Sequence, residues 1–128
     1  MVENDGMFLG MHTMAVLADT YVTSEQNHSG DKSAEDKNEQ NPLAWPLYAD
    51  KELLTGLPPM AISVNELDPL RDEGLAFYAN LIKAGNAAYA RTVHGTVHAG
   101  DCLFGKACPE IFDCTIRDIK SFADKCKN

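Results

Sequence analysis

An aspartate and a histidine have the types and the spacing needed for acid–base chemistry. Asp68 follows an apolar run at residues 60–64, and His98, thirty residues later, follows a second run at residues 88–93. A carboxylate that orients an imidazole lets the histidine act first as a general base and then as a general acid. Ligands bind beyond the carboxyl ends of strands in open α/β sheets. The pair therefore predicts the acid (Asp68) and the base (His98) of a hydrolytic triad.

The nucleophile that such a pair would activate is not found in the sequence. In α/β-hydrolases the chain order is nucleophile, acid and histidine, and the serine lies in a Gly-x-Ser-x-Gly turn. The serines before Asp68 are Ser24, Ser29, Ser33 and Ser63, and none has this context. The sequence therefore predicts part of an enzyme, with the nucleophile half absent.

Apolar periodicity predicts a core of strand, helix, strand and helix over residues 42–128. The runs at 60–64 and 88–93 have the character of buried parallel strands. A helix between them is closed by Ala84 and Gly85, and Pro109 opens the last helix. The expected apolar stripe of the first helix is Leu70, Gly74, Phe77, Tyr78, Leu81 and Ile82. That of the second is Ile111, Phe112, Ile116, Ile119, Phe122, Ala123 and Cys126.

The first 41 residues divide into an apolar and a polar part. Residues 7–21, within an N-terminal segment 1–23, predict a helix, because apolar residues recur there at helical spacing. Its stripe is Met7, Met11, Met14, Ala15 and Ala18. A methionine stripe indicates packing more often than function. Residues 24–41 are charged and polar, which predicts a surface loop.

Asp68 and His98 each also have an ordinary structural interpretation. Asp68 followed by Pro69 is a common helix start, with an aspartate N-cap and a proline in the first turn. His98 alone could be a surface or core histidine, and His94 competes for the role of base. Two strand ends in this order, with a segment of helix length between them, favour the catalytic interpretation.

Several segments resemble the hormone-sensitive-lipase-like esterases, a group of α/β-hydrolases. The acid-bearing segment is Asn65-Glu66-Leu67-Asp68-Pro69-Leu70-Arg71-Asp72-Glu73-Gly74. The others are Glu3-Asn4-Asp5-Gly6, Asn41-Pro42-Leu43-Ala44-Trp45-Pro46-Leu47-Tyr48-Ala49, Gly56-Leu57-Pro58-Pro59 and Gly95-Thr96-Val97-His98-Ala99-Gly100. Nearly the whole chain is covered. The resemblance implies an α/β fold in which this chain is the C-terminal portion, with the last parallel strands and their flanking helices.

Carried over residue by residue, the resemblance makes Asp68 the triad acid and His98 the triad base. It places Leu70 at the substrate pocket and the first helix near the lid. It implies a small-molecule ester as substrate, no cofactor, and a missing N-terminal portion that supplies the serine and the oxyanion hole. Two positions depart from the family: Ala99 follows His98 where glycine is common, and Trp45 replaces a small residue.

Composition and charge limit the remaining function classes. The apolar fraction of 45% permits a core, and 128 residues suit one domain or part of a larger one. The formal net charge of −8 disfavours nucleic acid as a partner, since phosphate binding needs clustered Lys and Arg. No apolar run has the roughly 18 residues of a membrane span. The first residues lack the basic start and apolar core of a secretion signal. The location stays open, with the cytoplasm favoured. The sequence leaves open whether the chain forms a homo-oligomer.

All four cysteines lie in the last 27 residues: Cys102, Cys108, Cys114 and Cys126. No Cys-x-x-Cys pair occurs among them, so a structural zinc site is not expected. Reduced, buried thiols are favoured, and a disulfide between Cys102 and Cys108 stays open. Three function classes remain: a carboxylic ester hydrolase segment, a non-catalytic or truncated hydrolase-like binding protein, and, with least support, a metal-binding Cys/His module.

Overall fold

A two-stranded parallel sheet with helices on both faces forms the centre of the chain. The computed structural model describes residues 5–29 and 41–127, with the backbone alone for 22–29. The elements are α1 (Met11–Ser29), a 3-10 helix (Pro46–Tyr48), α2 (Lys51–Leu54), β1 (Met60–Asn65), α3 (Arg71–Lys83), β2 (Ala88–Val93), α4 (Gly100–Leu103) and α5 (Pro109–Lys125). The elements β1, α3, β2 and α5 follow the order of strand, helix, strand and helix, with the 3-10 helix and the short helices α2 and α4 in addition. No helix of these described ranges combines the length and hydropathy needed to cross a bilayer.

The two strands run parallel and in register. Met60 pairs with Ala88 at one end, and Asn65 pairs with Val93 at the other. A parallel pair needs a crossover connection, and α3 supplies it. Because both strands end at the same edge, the loops that follow Asn65 and Val93 start side by side, as the sequence predicted.

One face of the sheet packs against α3. Leu81, which is fully buried, forms the core with Leu54 and Ala84. The helix comes very close to β1 at Gly74, where an added Cβ would lie 2.7 Å from Val64 Cγ1. A larger residue at this position would therefore displace the Val64 side chain or the helix itself. Ile82 was expected in the apolar stripe but is 45% exposed.

The opposite face packs against α5, through fewer apolar residues than predicted. The Phe122 ring meets the Tyr89 ring edge-on, with centroids 5.7 Å apart. Thr115 is 2% exposed, whereas Ile116 and Ile119 of the predicted stripe are 46% and 55% exposed. Part of the predicted apolar stripe is therefore exposed, because a sheet of two strands is too narrow to cover the whole helix face.

The N-terminal helix is shifted from its predicted position. It begins at Met11, whose N–H donates to Asp5 Oδ1 at 2.7 Å. It continues to Ser29, so the predicted loop was wrong over residues 24–29, whose Glu and Gln are good helix formers. The rest of that predicted loop, residues 30–40, lies outside the described residues.

Candidate active site

Asp68 and His98 meet at the carboxyl edge of the sheet. His98 Nδ1 lies 2.9 Å from Asp68 Oδ2, which is hydrogen-bond distance. The aspartate side chain is 8% exposed and the histidine side chain 37% exposed. His98 Nε2 has no hydrogen-bond partner among the described residues. The predicted proximity of the two side chains is therefore confirmed, with one ring nitrogen held by the carboxylate and the other available.

The turn after β1 presents Asp68 so that its two oxygens have separate partners. Oδ1 accepts a hydrogen bond from the Leu70 N–H at 2.9 Å, which leaves Oδ2 for His98. The helix α3 begins at Arg71, after Leu70 as its N-cap residue. Asp68 is therefore not the N-cap that its place before Pro69 suggested. It closes a short turn and lies three residues before the first residue of the helix.

Leu70 and Arg71 support this turn. The Leu70 side chain is half-buried and does not line the cavity beside His98. Its contact with substrate stays a prediction. Arg71 Nη1 donates to the Glu66 carbonyl at 2.9 Å, and Arg71 Nε donates to Asp72 at 2.8 Å. The Arg71 hydrogen bond lowers the pKa of Asp72. Arg71 and Asp72 therefore form an ion pair in the first turn of the helix.

His94, the alternative base, faces a different carboxylate. Its Nδ1 lies 3.1 Å from Glu66 Oε1, and its side chain is 76% exposed. The other oxygen of Glu66 accepts a hydrogen bond from the Gly95 N–H at 2.7 Å. This backbone hydrogen bond, with a smaller contribution from His94, lowers the pKa of Glu66. His94 and Glu66 thus form a surface contact between the loop that follows β1 and the loop that follows β2.

The loop that carries His98 turns sharply at the next residue. Ala99 has a φ of 53°, in the left-handed region that residues other than glycine seldom adopt. The Gly100 N–H donates to the Val97 carbonyl at 2.8 Å, which closes the turn around His98. The departure from the family noted at Ala99 therefore falls on a position where the backbone favours glycine.

A buried asparagine that the sequence reasoning did not single out joins the two loops. Asn65 is 6% exposed. Its Nδ2 donates to Thr96 Oγ1 at 2.8 Å and to Asp101 Oδ1 at 2.9 Å, and its Oδ1 accepts from the Ala99 N–H at 3.1 Å. The signal in the sequence was an amide residue at the carboxyl end of an apolar strand, three positions before Asp68.

Asp101 is a buried member of a charged network. It is 4% exposed, and its Oδ2 accepts from Thr115 Oγ1 at 3.0 Å. Arg91 Nη2 lies 3.5 Å from the same oxygen and donates to Thr115 Oγ1 at 2.9 Å. Arg91 also donates to Ser63 Oγ at 2.9 Å and forms an ion pair with Asp118. The network ties the histidine loop to β2 and α5.

A cavity of about 450 Å³ opens beside these groups. Asp68 and His98 are part of its wall, and Tyr89, Ile119 and Phe122 contribute apolar surface. Arg91, Asp101 and Asp118 also line the cavity, so the space beside the imidazole has both apolar and charged walls.

The cysteines do not form a metal site or a disulfide in the described ranges. All four thiols are free; Cys102, Cys114 and Cys126 are exposed and Cys108 is half-buried, so the expectation of buried thiols was wrong. Within residues 5–29 and 41–127, no group of three or more His, Cys, Asp or Glu side chains is arranged to hold a metal ion. Partial burial, with a smaller contribution from Asp101, raises the pKa of Cys102.

The sequence and the fold both match known hydrolases. A family model described as the α/β hydrolase fold matches residues 6–100. Brefeldin A esterase, described as a bacterial homologue of human hormone-sensitive lipase, superposes with a TM-score of 0.84 at 41% identity, over 98% of this chain and 32% of that one. An esterase of Gibberella moniliformis is 32% identical over 74% of this chain and 27% of its own length. An arylesterase of Saccharolobus solfataricus is 38% identical over 51% and 21%.

The chain therefore belongs to the α/β-hydrolase family, and its resemblance to the hormone-sensitive-lipase-like esterases is confirmed by these relatives. It spans about a third of brefeldin A esterase and about a quarter or less of the two curated relatives.

Proposed function

We propose that this chain supplies the acid and the base of a serine-dependent carboxylic ester hydrolase. Asp68 is the acid and His98 is the base. The observation that carries the proposal is the 2.9 Å contact between His98 Nδ1 and Asp68 Oδ2 at the carboxyl edge of the sheet. His98 Nε2 then remains for the reaction, as a triad base requires.

Each group has a defined role in the reaction. His98 Nε2 takes the proton of a serine hydroxyl as the oxygen attacks the ester carbonyl, and then returns it to the leaving alcohol. Asp68 holds the ring with Nδ1 protonated and stabilises the imidazolium that forms. The serine and the donors of the oxyanion hole come from the N-terminal portion of the hydrolase, since this sequence has no Gly-x-Ser-x-Gly turn.

The 128 residues alone are then inactive towards esters. Removing one member of a triad leaves residual catalysis of about 10³ to 10⁴ over water, which depends on the oxyanion hole and on substrate binding. Here the nucleophile is absent from the sequence and the oxyanion donors are proposed to lie elsewhere, so no such residual activity is expected.

A chimera tests the assignment directly. The matching third of brefeldin A esterase is replaced by residues 1–128, and hydrolysis of a short-chain aryl ester is measured. We expect the chimera to be active and His98→Ala to lower kcat by about 10⁴-fold or more. His94→Ala is the matched control and keeps most of the activity, because His94 faces Glu66. Equal losses in the two variants, in folded protein, would contradict the assignment of the base.

A non-catalytic binding role is the second candidate, and the absence of a serine turn from this sequence favours it. The chain would then bind an ester or alcohol in the cavity beside His98 without cleaving it. Calorimetric titration of the isolated chain with an aryl ester, together with an inactive but folded chimera, would support this alternative.

A further inference from the structure

Asn65 holds the loop on both sides of His98. Its side chain bonds to Thr96, two residues before the histidine, and to the backbone N–H of Ala99, one residue after it. The third bond, to Asp101 Oδ1, fastens the start of α4. One buried side chain at the end of β1 therefore contacts three successive parts of the segment that presents the imidazole.

The partners admit only one orientation of the Asn65 amide. A carboxylate oxygen of Asp101 and a backbone N–H of Ala99 need a donor and an acceptor respectively, so Nδ2 must face Asp101 and Oδ1 must face Ala99. Both Nδ2 protons and one Oδ1 lone pair are used. A buried amide with all its donors satisfied is rigid, because any rotation leaves polar groups without partners.

The hydrogen bond to the Ala99 N–H lies at the residue of the loop whose backbone conformation is least favourable by itself. A left-handed backbone is disfavoured for alanine, so the turn after His98 needs support from its surroundings. Asn65 Oδ1 accepts the N–H of this same residue.

The bond to Asp101 gives the asparagine a charged anchor. The Asp101 carboxylate is buried, and Arg91 and Thr115 offset its desolvation from the side of β2 and α5. Hydrogen bonds to a charged group are stronger than those between neutral groups. The anchor therefore resists movement of Asn65, and Asn65 in turn resists movement of the histidine loop.

We propose that Asn65, anchored by Asp101 and Arg91, is a positioning residue that sets the orientation of His98 against Asp68. Its importance for catalysis rests on the proposed function; its effect on the His98–Asp68 contact does not.

The test is NMR spectroscopy of the 128-residue chain with ¹⁵N-labelled histidine. A proton on His98 Nδ1 that is bonded to a carboxylate exchanges slowly with water and has its own resonance. We expect Asn65→Ala to speed the exchange of this proton by roughly tenfold, the factor that corresponds to about 1.4 kcal/mol. Thr96→Val keeps the shape of the side chain and removes one of the three Asn65 hydrogen bonds, together with the hydrogen bond that Thr96 Oγ1 donates to the Val93 carbonyl at 2.8 Å. It leaves the other two Asn65 hydrogen bonds in place, so we expect a smaller effect in the same direction.

Asn86→Ala is the matched control. Asn86 is also buried, and its amide also bonds within the fold, but its partners are the Leu54 and Leu81 carbonyls. Asn86→Ala should lower the thermal unfolding midpoint without a comparable change in the His98 resonance. Equal effects of Asn65→Ala and Asn86→Ala on the exchange would show a merely structural role and overturn the proposal. If Asn65→Ala does not fold, Thr96→Val decides, and an unchanged His98 resonance in that variant would overturn it.

The two proposals can fail separately. An inactive but folded chimera together with faster exchange in Asn65→Ala would remove the catalytic role and keep the positioning role. An active chimera with unchanged exchange in Asn65→Ala and Thr96→Val would keep the catalytic role and remove the positioning role.

Discussion

Two buried asparagines mark the two ends of the sheet, and their partners differ. Asn86, just before β2, donates to the carbonyls of Leu54 and Leu81 at 2.7 and 3.2 Å, next to the apolar cluster. Asn65, the last residue of β1, bonds to the Thr96 and Asp101 side chains and to a loop N–H. At the amino end of the sheet the contacts are apolar packing and hydrogen bonds to backbone carbonyls. At the carboxyl end they are hydrogen bonds that join polar side chains to each other and to the loop backbone.

The apolar contacts at the amino end of the sheet therefore serve the stability of the fold, whereas the polar contacts at the carboxyl end fix the geometry of the candidate site. Apolar burial is non-directional and tolerates small shifts, so the amino end can stabilise the fold without placing any atom accurately. Hydrogen bonds are directional, and buried polar groups are unfavourable unless all are paired, so the carboxyl end holds its groups in one arrangement. Substitutions at the two ends should therefore change different measurable properties.

The largest effect is expected at the carboxyl end, on activity. In the chimera with brefeldin A esterase, Asp68→Asn should lower kcat by about 10⁴-fold, because the amide no longer favours the ring with Nδ1 protonated. The unfolding midpoint should change little, since Asn retains an oxygen for the Leu70 N–H. Steady-state kinetics and thermal unfolding of the same preparation check both parts. Nearly full activity would show that Asp68 does not serve His98.

The next effect is expected at the amino end, on stability. Leu81 is fully buried, so Leu81→Ala should destabilise the chain by about 2 to 5 kcal/mol in a urea titration. Ile82→Ala, on the next residue of α3 and 45% exposed, is the control and should have a much smaller effect. Similar losses at the two positions would contradict the assignment of Leu81 to the core.

A smaller effect of opposite sign is expected beside His98. Ala99→Gly should stabilise the chain by about 1 kcal/mol or less, because glycine adopts a left-handed backbone freely but has more freedom to lose on folding. Ala123→Gly, inside α5, should instead destabilise by roughly 0.5 to 1 kcal/mol. Denaturant titrations of both variants test the sign. A loss of stability at Ala99→Gly would indicate that its backbone is not left-handed in solution.

The smallest effect depends on pH. The pKa of Glu66 is lowered from 4.5 by its bond to the Gly95 N–H, so its stabilising contribution is present above pH 4.5 and is lost as the pH falls through the lower, folded-state pKa. Glu66→Gln should therefore lower the unfolding midpoint slightly at pH 7 and lose this difference in acid. Glu110→Gln, at an exposed glutamate of α5, is the control. A difference that grew on acidification would contradict this assignment.

Much of the secondary structure could be predicted, because the sequence signals for strands and helices are local. Apolar runs and helix-closing residues lie within a few positions of each other, so β1, β2, α3 and the start of α5 at Pro109 were predicted close to their observed bounds. The pairing of Asp68 with His98 followed from one further rule, that the ends of parallel strands meet at one edge. The boundaries of α1 were less accurate, since Asp5 begins the helix through a side-chain contact and polar residues extend it.

Other features had no local signal. Whether Ile116 and Ile119 are buried depends on how much sheet lies opposite α5, which periodicity cannot report. The left-handed backbone of Ala99 depends on the path of a loop between two elements, and nothing in an alanine indicates it.

The sequence by itself determined the two strands, the crossover helix and the order of acid and base. Apolar periodicity and residue type are enough for these features, because strands and helices depend on geometry between near neighbours in the chain. Only the tertiary structure decided that His98, and not His94, contacts Asp68, and that Asn65, Asp101 and Arg91 are joined in one polar network. The contacts of His98, His94 and Asn65 join residues 28 to 36 positions apart in the chain, and that of Arg91 with Asp101 joins residues ten apart. Their geometry is set by the register of the strands and by the need to pair every buried polar group.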